Sequence, residues 1–152
     1  MIEQNTVAPP PAVAWLGYGG LIPFLALAAA SLIDPVHAAV WSDALFAYGA
    51  VILSFVGALH WGLAIGQPGL NDRQRSACFT WSVVPALIAW PATLLSATIA
   101  APLLVLGFVA HYLQDRRLAR LTTLPAWYLT LRLRLSSVAC ICLVAGAFAC
   151  VV

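Results

Sequence analysis

A histidine and a tryptophan stand side by side, as His60 and Trp61, inside the apolar stretch SFVGALHWGLAIG at residues 54–66. An imidazole can donate or accept a hydrogen bond, exchange a proton near neutral pH, or bind a metal ion. A polar ring without a partner in hydrocarbon is costly, so such rings face the inside of a helix bundle. We therefore predict that His60 points inward and meets a polar partner or a ligand.

Composition predicts that this stretch crosses a membrane. The chain has 152 residues, of which 63% are apolar and 8% charged, and it contains no lysine. Its apolar runs reach the roughly 20 residues that a helix needs to cross hydrocarbon, and they lack the alternation of barrel strands. We predict an all-α, polytopic membrane bundle. The charged residues form no basic block for nucleic acid, and the four cysteines form no CxxC motif.

Five transmembrane helices are predicted from the apolar runs. They cover about 12–33, 43–65, 78–95, 99–113 and 133–151, in a single domain at 12–152 that follows a short N-terminal tail at 1–11. The third and fourth are separated by a turn at LSATIAAP, since one helix through both would exceed the bilayer thickness. No basic residue precedes the first run, so we expect no cleaved signal peptide.

The arginines predict the orientation of these spans. Five spans place all seven arginines on one side of the membrane, whereas four would divide them between both sides. Loops rich in arginine and lysine stay in the cytoplasm. The N-terminus is therefore predicted to be cytoplasmic and the C-terminus to lie outside.

This topology gathers polar residues into one layer on the cytoplasmic side. The second and fourth spans run in the same direction, which brings His60 and Asp115 to a similar depth. Arg132 and Arg134 lie about 200° apart on a helix, so one of them must turn inward. Residues predicted to bind a ligand or partner are His60, Trp61, Asp115, Trp127, Tyr128 and Arg132. Alternatively, the aromatic residues form an interfacial belt and His111 extends toward the headgroups.

Small residues and prolines are predicted to shape the packing. Ala50, Ser54, Ala58, Gly62 and Gly66 recur at every fourth position and form a stripe along which another helix, or a second copy of the chain, can approach closely. Prolines within spans free backbone carbonyls and can create a pocket. The residues assigned a structural role are Gly62, Gly66, Pro23, Pro85 and Trp90.

Several segments together resemble a known family. They are LGYGGLIPF at 16–24, YGAVILSFVGALHWG at 48–62, SVVPALIAW at 82–90, Asp115, and PAWYLTLRLRL at 125–135. In order and spacing they resemble domain-of-unknown-function family 3429, the transmembrane protein 69-like membrane proteins. The resemblance implies a multi-pass protein of mitochondria or of bacterial inner membranes. We predict the bacterial inner membrane as the location of this chain. It covers the following motif residues: His60, Trp61, Gly62, Pro85, Trp90, Asp115, Trp127, Tyr128 and Arg132. His111 lies outside the pattern.

The function predicted from these residues is non-catalytic. A polar layer centred on His60, Asp115 and Arg132 suits the binding of membrane lipids or a quinone head group, or the docking of a respiratory-complex partner as an accessory or assembly protein. Alternatives are a b-type haem held by His60 and His111, a proton relay, and a small transporter. No metal site is predicted. No hydrolase triad, HExxH motif or phosphate-binding glycine loop is present, so an enzyme is not favoured.

Overall fold

Six α-helices and one short 3-10 helix form the described part of the chain. The computed structural model describes residues 8–151 and has no strand within them. The helices are α1 (Pro11–Gly19), α2 (Ile22–Ile33), the 3-10 helix (Pro35–His37), α3 (Ala38–Gly66), α4 (Asp72–Ala92), α5 (Ala97–Leu121) and α6 (Ala126–Ala149). The all-α prediction is confirmed. Residues 1–7 of the predicted N-terminal tail, and residue 152, lie outside the described residues.

Within residues 8–151, four segments are long and apolar enough to cross a membrane. They are Pro11–Ile33, Pro35–Gly66, Ala97–Leu121 and Ala126–Ala149. The chain is thus a multi-pass membrane protein. Helix α4 occupies the place of the predicted third span, but its first turn carries Asp72, Arg73 and Arg75, which lowers its hydropathy. The count of five spans and the side on which each terminus lies stay predictions.

The first apolar segment is two helices rather than the single span predicted. Helix α1 ends at Gly19 and α2 begins at Ile22. Pro23 has no N–H to continue the α1 hydrogen-bond pattern, and Gly20 lies at the junction. The Tyr48 hydroxyl donates to the Gly20 carbonyl at 2.9 Å and so supplies one of the partners that a broken helix needs.

Two other helices extend well beyond the predicted spans. Helix α4 begins at Asp72 instead of residue 78, because Asn71 and Gln74 form a capping box at its N-terminus. Helix α5 runs to Leu121 instead of residue 113, and it begins at Ala97 directly after Ser96. An apolar run marks only the part of a helix that lies in hydrocarbon. The backbone hydrogen bonds of the helix continue beyond that part, so the helix is longer than the predicted span.

Helix α3 is the central helix of the bundle, and contacts α2, α4, α5 and α6. Its contact with α4 is close: a Cβ added at Gly57 would lie 2.8 Å from Cγ of Pro85. The stripe of small residues predicted along this helix has a buried part and an exposed part. Ala50 is buried, whereas Gly62 and Gly66 are exposed with open space at their Cβ positions. The inner part therefore packs within the bundle, and the prediction of a homo-oligomer through the outer part stays untested.

One exposed carboxylate joins α2 to α3, and its pKa gives a test of this corner. Asp34 Oδ2 accepts hydrogen bonds from Trp41 Nε1 at 3.2 Å and from His37 Nδ1 at 2.9 Å. These bonds, that of Trp41 first, hold the pKa of Asp34 below its ordinary value of 3.8. Because the folded-state pKa is depressed, the carboxylate stabilises the fold above pH 3.8 and that contribution is lost as the pH falls through the lowered value.

We expect a carboxyl ¹³C titration of Asp34 by NMR to give a midpoint below 3.8. Trp41→Phe removes the indole donor and should move the midpoint upward, toward 3.8. Trp90→Phe, the same change at an exposed tryptophan that makes no hydrogen bond to Asp34, is the control and should leave the Asp34 midpoint in place. An unchanged Asp34 midpoint in Trp41→Phe would contradict this account.

Candidate functional site

Four helices bring polar side chains together near one end of the bundle. His60 lies six residues before the end of α3, and Asp115 lies six residues before the end of α5. Arg132 lies six residues after the start of α6. The connection between α5 and α6 is short, so these antiparallel helices place Asp115 and Arg132 at the same level. The predicted meeting of His60, Asp115 and Arg132 is thus present.

Asp115 is the centre of this group. Its Oδ1 accepts from His60 Nε2 at 2.8 Å and from the Tyr128 hydroxyl at 3.3 Å, and its Oδ2 accepts from Arg132 Nε at 2.9 Å. His111 Nε2 lies 3.7 Å from Oδ1. Asp115 and both histidines are completely buried, and Arg132 is 7% exposed. Since an arginine is always protonated, the buried pair consists of a guanidinium and a carboxylate.

His111 belongs to this group, contrary to the alternative in which it extends toward headgroups. Its Nδ1 accepts a hydrogen bond from Trp81 Nε1 at 3.1 Å, and its ring contacts that of His60 with centroids 4.9 Å apart. An indole nitrogen can only donate. His111 is therefore a neutral imidazole with its proton on Nε2, on the side of Asp115.

The sequence contained a signal that places His111 beside Asp115, but none that places Trp81 beside His111. His111 and Asp115 are four residues apart, which places them on the same face of a helix. Tyr128 and Arg132 have the same spacing. Trp81 lies on α4 at a distance along the chain that no periodicity connects to His111, so only the packing of α4 against α5 brings the two together.

The hydrogen bonds of this group work against a metal ion. One ligand atom each from His60, His111 and Asp115 lie within 4.8 Å of one another. To bind a metal through Nε2, however, His111 would have to carry its proton on Nδ1, where it would face the N–H of Trp81. The Arg132 guanidinium at Asp115 adds a further positive charge.

The arrangement also leaves no space for a haem between the two histidines. A six-coordinate haem needs the iron and the porphyrin plane between its axial imidazoles. Here the rings of His60 and His111 are in edge contact, and Nε2 of His60 is bonded to Asp115. Haem ligation would require α3 and α5 to separate, so these contacts do not favour it.

Several polar atoms in the group have no partner. Among the described residues, His60 Nδ1, His111 Nε2 and Arg132 Nη2 are buried without a hydrogen bond. Buried donors and acceptors are normally paired, and each exception calls for an explanation. The group therefore retains hydrogen-bonding capacity.

An apolar cavity of about 310 Å³ adjoins this group. It lies among α1, the α1–α2 junction, α2, α3, α5 and α6, and Arg132, Tyr128 and Trp127 form its polar end. Leu16 and Phe55 also line it and are exposed on the outer surface of the bundle, so the cavity can be reached from the side. The break after α1 contributes Gly17 and Gly20 to its wall.

Trp61 was predicted to bind a ligand but lies away from this group, as do Trp90, assigned a structural role, and Arg134. Trp61 is 51% exposed and packs against Phe79, because consecutive helical residues point about 100° apart. Trp90 is exposed on α4. Arg134 is exposed and its Nη1 donates to the Tyr18 hydroxyl at 3.4 Å, so Arg132 is the arginine that turns inward. The prediction that one of the two does so is confirmed.

Comparison with known proteins decides the family. The family model described as "Protein of unknown function (DUF3429)" matches residues 9–148. The chain belongs to this family. The resemblance found in the sequence is thereby confirmed, and the buried group and the cavity both lie within the part of the chain that the family model covers.

Two vertebrate relatives of the family carry a name. The protein named "Transmembrane protein 69" in Xenopus tropicalis is 42% identical over 146 residues, which is 90% of this chain and 53% of that protein. The mouse protein of the same name is 31% identical over 132 residues, or 83% of this chain and 51% of that protein. The chain spans about half the length of these relatives. No solved structure matches it.

Proposed function

We propose that this protein binds an amphiphilic molecule from the bilayer, a lipid or a quinone, in the cavity beside Arg132. The observation that carries the proposal is an apolar cavity of about 310 Å³ whose lining includes the buried Arg132. Ligand sites are typically concave and apolar, with a few polar groups that orient the ligand, and their volumes begin at about 300 Å³. The head would lie at Arg132 and the apolar part along α1 and α3.

The fixed position of Arg132 supports this orientation. Asp115 holds the guanidinium through Nε, and the carboxylate is held in turn by His60 and Tyr128. A donor that is already oriented and desolvated loses little entropy when a ligand binds. His111 and Trp81 support the group from the side away from the cavity. In this proposal they position the site and do not contact the ligand.

The shape of the cavity supports a ligand that enters from the membrane. Its lining runs along α6 from Trp127 to Ala139, and at a rise of 1.5 Å per residue this is a length of about 18 Å. The exposed Leu16 and Phe55 stand at its outer rim. A molecule already dissolved in the bilayer can therefore enter sideways without crossing water.

Filling the cavity should remove the bound molecule. Ser136 lines the cavity, so Ser136→Leu places additional carbon atoms in the space that the ligand would occupy. The adjacent Ser137 is exposed outside it, which makes Ser137→Leu a matched control. We expect native mass spectrometry of gently extracted protein to detect a retained small molecule in the wild type and in Ser137→Leu, and only background amounts in Ser136→Leu.

Removing the guanidinium should weaken retention while leaving the cavity open. Arg132→Lys keeps a positive charge beside Asp115 but loses the guanidinium donors, which should reduce occupancy about tenfold. Arg134→Lys, the same change at an exposed position of the same helix, is the control and should retain the molecule. Equal retention by all four variants and the wild type, or no retained molecule in the wild type, would refute the proposed function.

The finer statements about topology, location and partners belong to the same proposal. Five spans would place all seven arginines at the end of the bundle where α3 joins α4 and α5 joins α6. A cytoplasmic location of that end follows from the positive-inside rule. The named relatives are vertebrate proteins, so the bacterial inner membrane stays a prediction. Docking of a respiratory-complex partner likewise stays a prediction.

A further inference from the structure

The charges around the cavity restrict the kind of head group that it can take. The carboxylate of Asp115 is 2.9 Å from Arg132, and these two charges balance each other. His111 is neutral, because its Nδ1 accepts the Trp81 hydrogen bond. His60 contacts the same carboxylate through Nε2. The guanidinium of Arg132 is thus already paired with a buried carboxylate before any ligand binds.

A charged head would disturb this balance. An anion at Arg132 would compete with Asp115 for the guanidinium and add a second negative charge beside a carboxylate that is completely buried. Like charges repel strongly in such a low-dielectric environment. A cation would be repelled by Arg132 itself. A neutral head changes none of these interactions.

The hydrogen-bonding groups at the polar end are mainly donors. Arg132 has no acceptor, and it donates to Asp115 through Nε alone, while its Nη2 has no partner among the described residues. Ser136, one helical turn along α6, also lines the cavity and has a hydroxyl. The Tyr128 hydroxyl donates its proton to Asp115. A head that accepts hydrogen bonds fits this end best.

We propose that the ligand is a neutral amphiphile with a carbonyl in its head, as in a quinone or an ester. The carbonyl oxygen would accept hydrogen bonds from Arg132 and Ser136. The apolar part would lie along the cavity and reach the bilayer past the exposed Leu16 and Phe55. This inference rests on the proposed function and narrows it to one chemical class.

The test compares probes that have saturated chains of similar length and differ in the head. Protein in nanodiscs is titrated with methyl laurate, with a decyl-substituted benzoquinone, and with dodecanesulfonate, whose charge is permanent. Bound probe is counted by native mass spectrometry after ejection from the discs. We expect both neutral carbonyl probes to bind at least about tenfold more tightly than the sulfonate. We also expect Ser136→Leu to abolish their binding and Ser137→Leu to preserve it.

The outcomes separate the inference from the function on which it rests. Tighter binding of the sulfonate than of the neutral probes, blocked by Ser136→Leu, would overturn the neutral class but support the cavity as a ligand site. Binding of one neutral probe alone identifies the source as ester or quinone and supports the inference. No binding of any probe, or binding unaffected by Ser136→Leu, would overturn both.

Discussion

Replacing Asp115 by asparagine should lower the free energy of unfolding by about 3–5 kcal/mol, because it leaves a guanidinium buried without its counterion. The three groups that contact the carboxylate most closely are His60, Tyr128 and Arg132, and all of them donate to it. An asparagine amide has the same shape, but half of it consists of N–H donors that would face other donors. The measurement is chemical unfolding of the purified protein in detergent micelles, followed by circular dichroism.

Two comparisons make this result specific to the buried pair. Asp43→Asn makes the same chemical change at an exposed position of α3 and should alter stability by less than about 0.5 kcal/mol. The double variant Asp115→Asn with Arg132→Gln removes both charges, so it should recover part of the loss. A single Asp115→Asn variant as stable as wild type would mean that the pair does not contribute to holding α3, α5 and α6 together.

The polar group could be predicted from the sequence because the cost of burial limits the possibilities. His60 and Asp115 come from helices that run in the same direction, and a polar residue at that depth needs a partner inside the bundle. Trp61 was assigned to the site from its adjacency to His60, although helical geometry turns neighbouring residues to different faces. Trp81 could not be found, since its contact with His111 depends on the three-dimensional packing of α4 on α5.

The helices themselves were predictable, whereas their ends and breaks were less so. Hydropathy locates the part of a helix that lies in hydrocarbon, so it ended the fourth span near residue 113 although α5 continues through three arginines to Leu121. The break between α1 and α2 has a local cause in Gly20 and Pro23 that hydropathy does not register. That break forms part of the wall of the cavity to which we assign ligand binding in our proposal.

A methyl group at Gly57 should disrupt a close and rigid contact between α3 and α4. The added Cβ would lie 2.8 and 2.9 Å from two ring carbons of Pro85 and 3.0 Å from the carbonyl oxygen of Ser82. A proline ring and a backbone oxygen cannot rotate away, so α3 and α4 must move apart. We expect Gly57→Ala to destabilise the fold by about 1–3 kcal/mol. The same unfolding measurement in detergent gives the value.

Two other glycines show how the stability change caused by an added methyl group should depend on the rigidity of the atom it meets, and not on distance alone. At Gly107 the added Cβ would be only 2.5 Å from Leu53 Cδ2, but that atom ends a flexible side chain, so Gly107→Ala should cost less than Gly57→Ala. At Gly62 nothing lies within 4 Å, and Gly62→Ala should gain up to about 1 kcal/mol from helix propensity.

Relieving the contact from the other side completes the test at Gly57. Combining Gly57→Ala with Pro85→Ala removes the ring that the new methyl group would meet, so the double variant should lose less stability than the two single changes predict together. The remaining contact with the Ser82 carbonyl, at 3.0 Å, should keep the recovery partial. Strictly additive effects would mean that α3 and α4 already have room for the methyl group.

The contact at Gly57 also lies close to the polar group. His60 follows Gly57 by three residues on α3, and Trp81 precedes Pro85 by four on α4. Movement of α3 away from α4 should therefore weaken the hydrogen bond between Trp81 and His111. The close packing at Gly57 is in this way one of the conditions that bring α4 into the polar group.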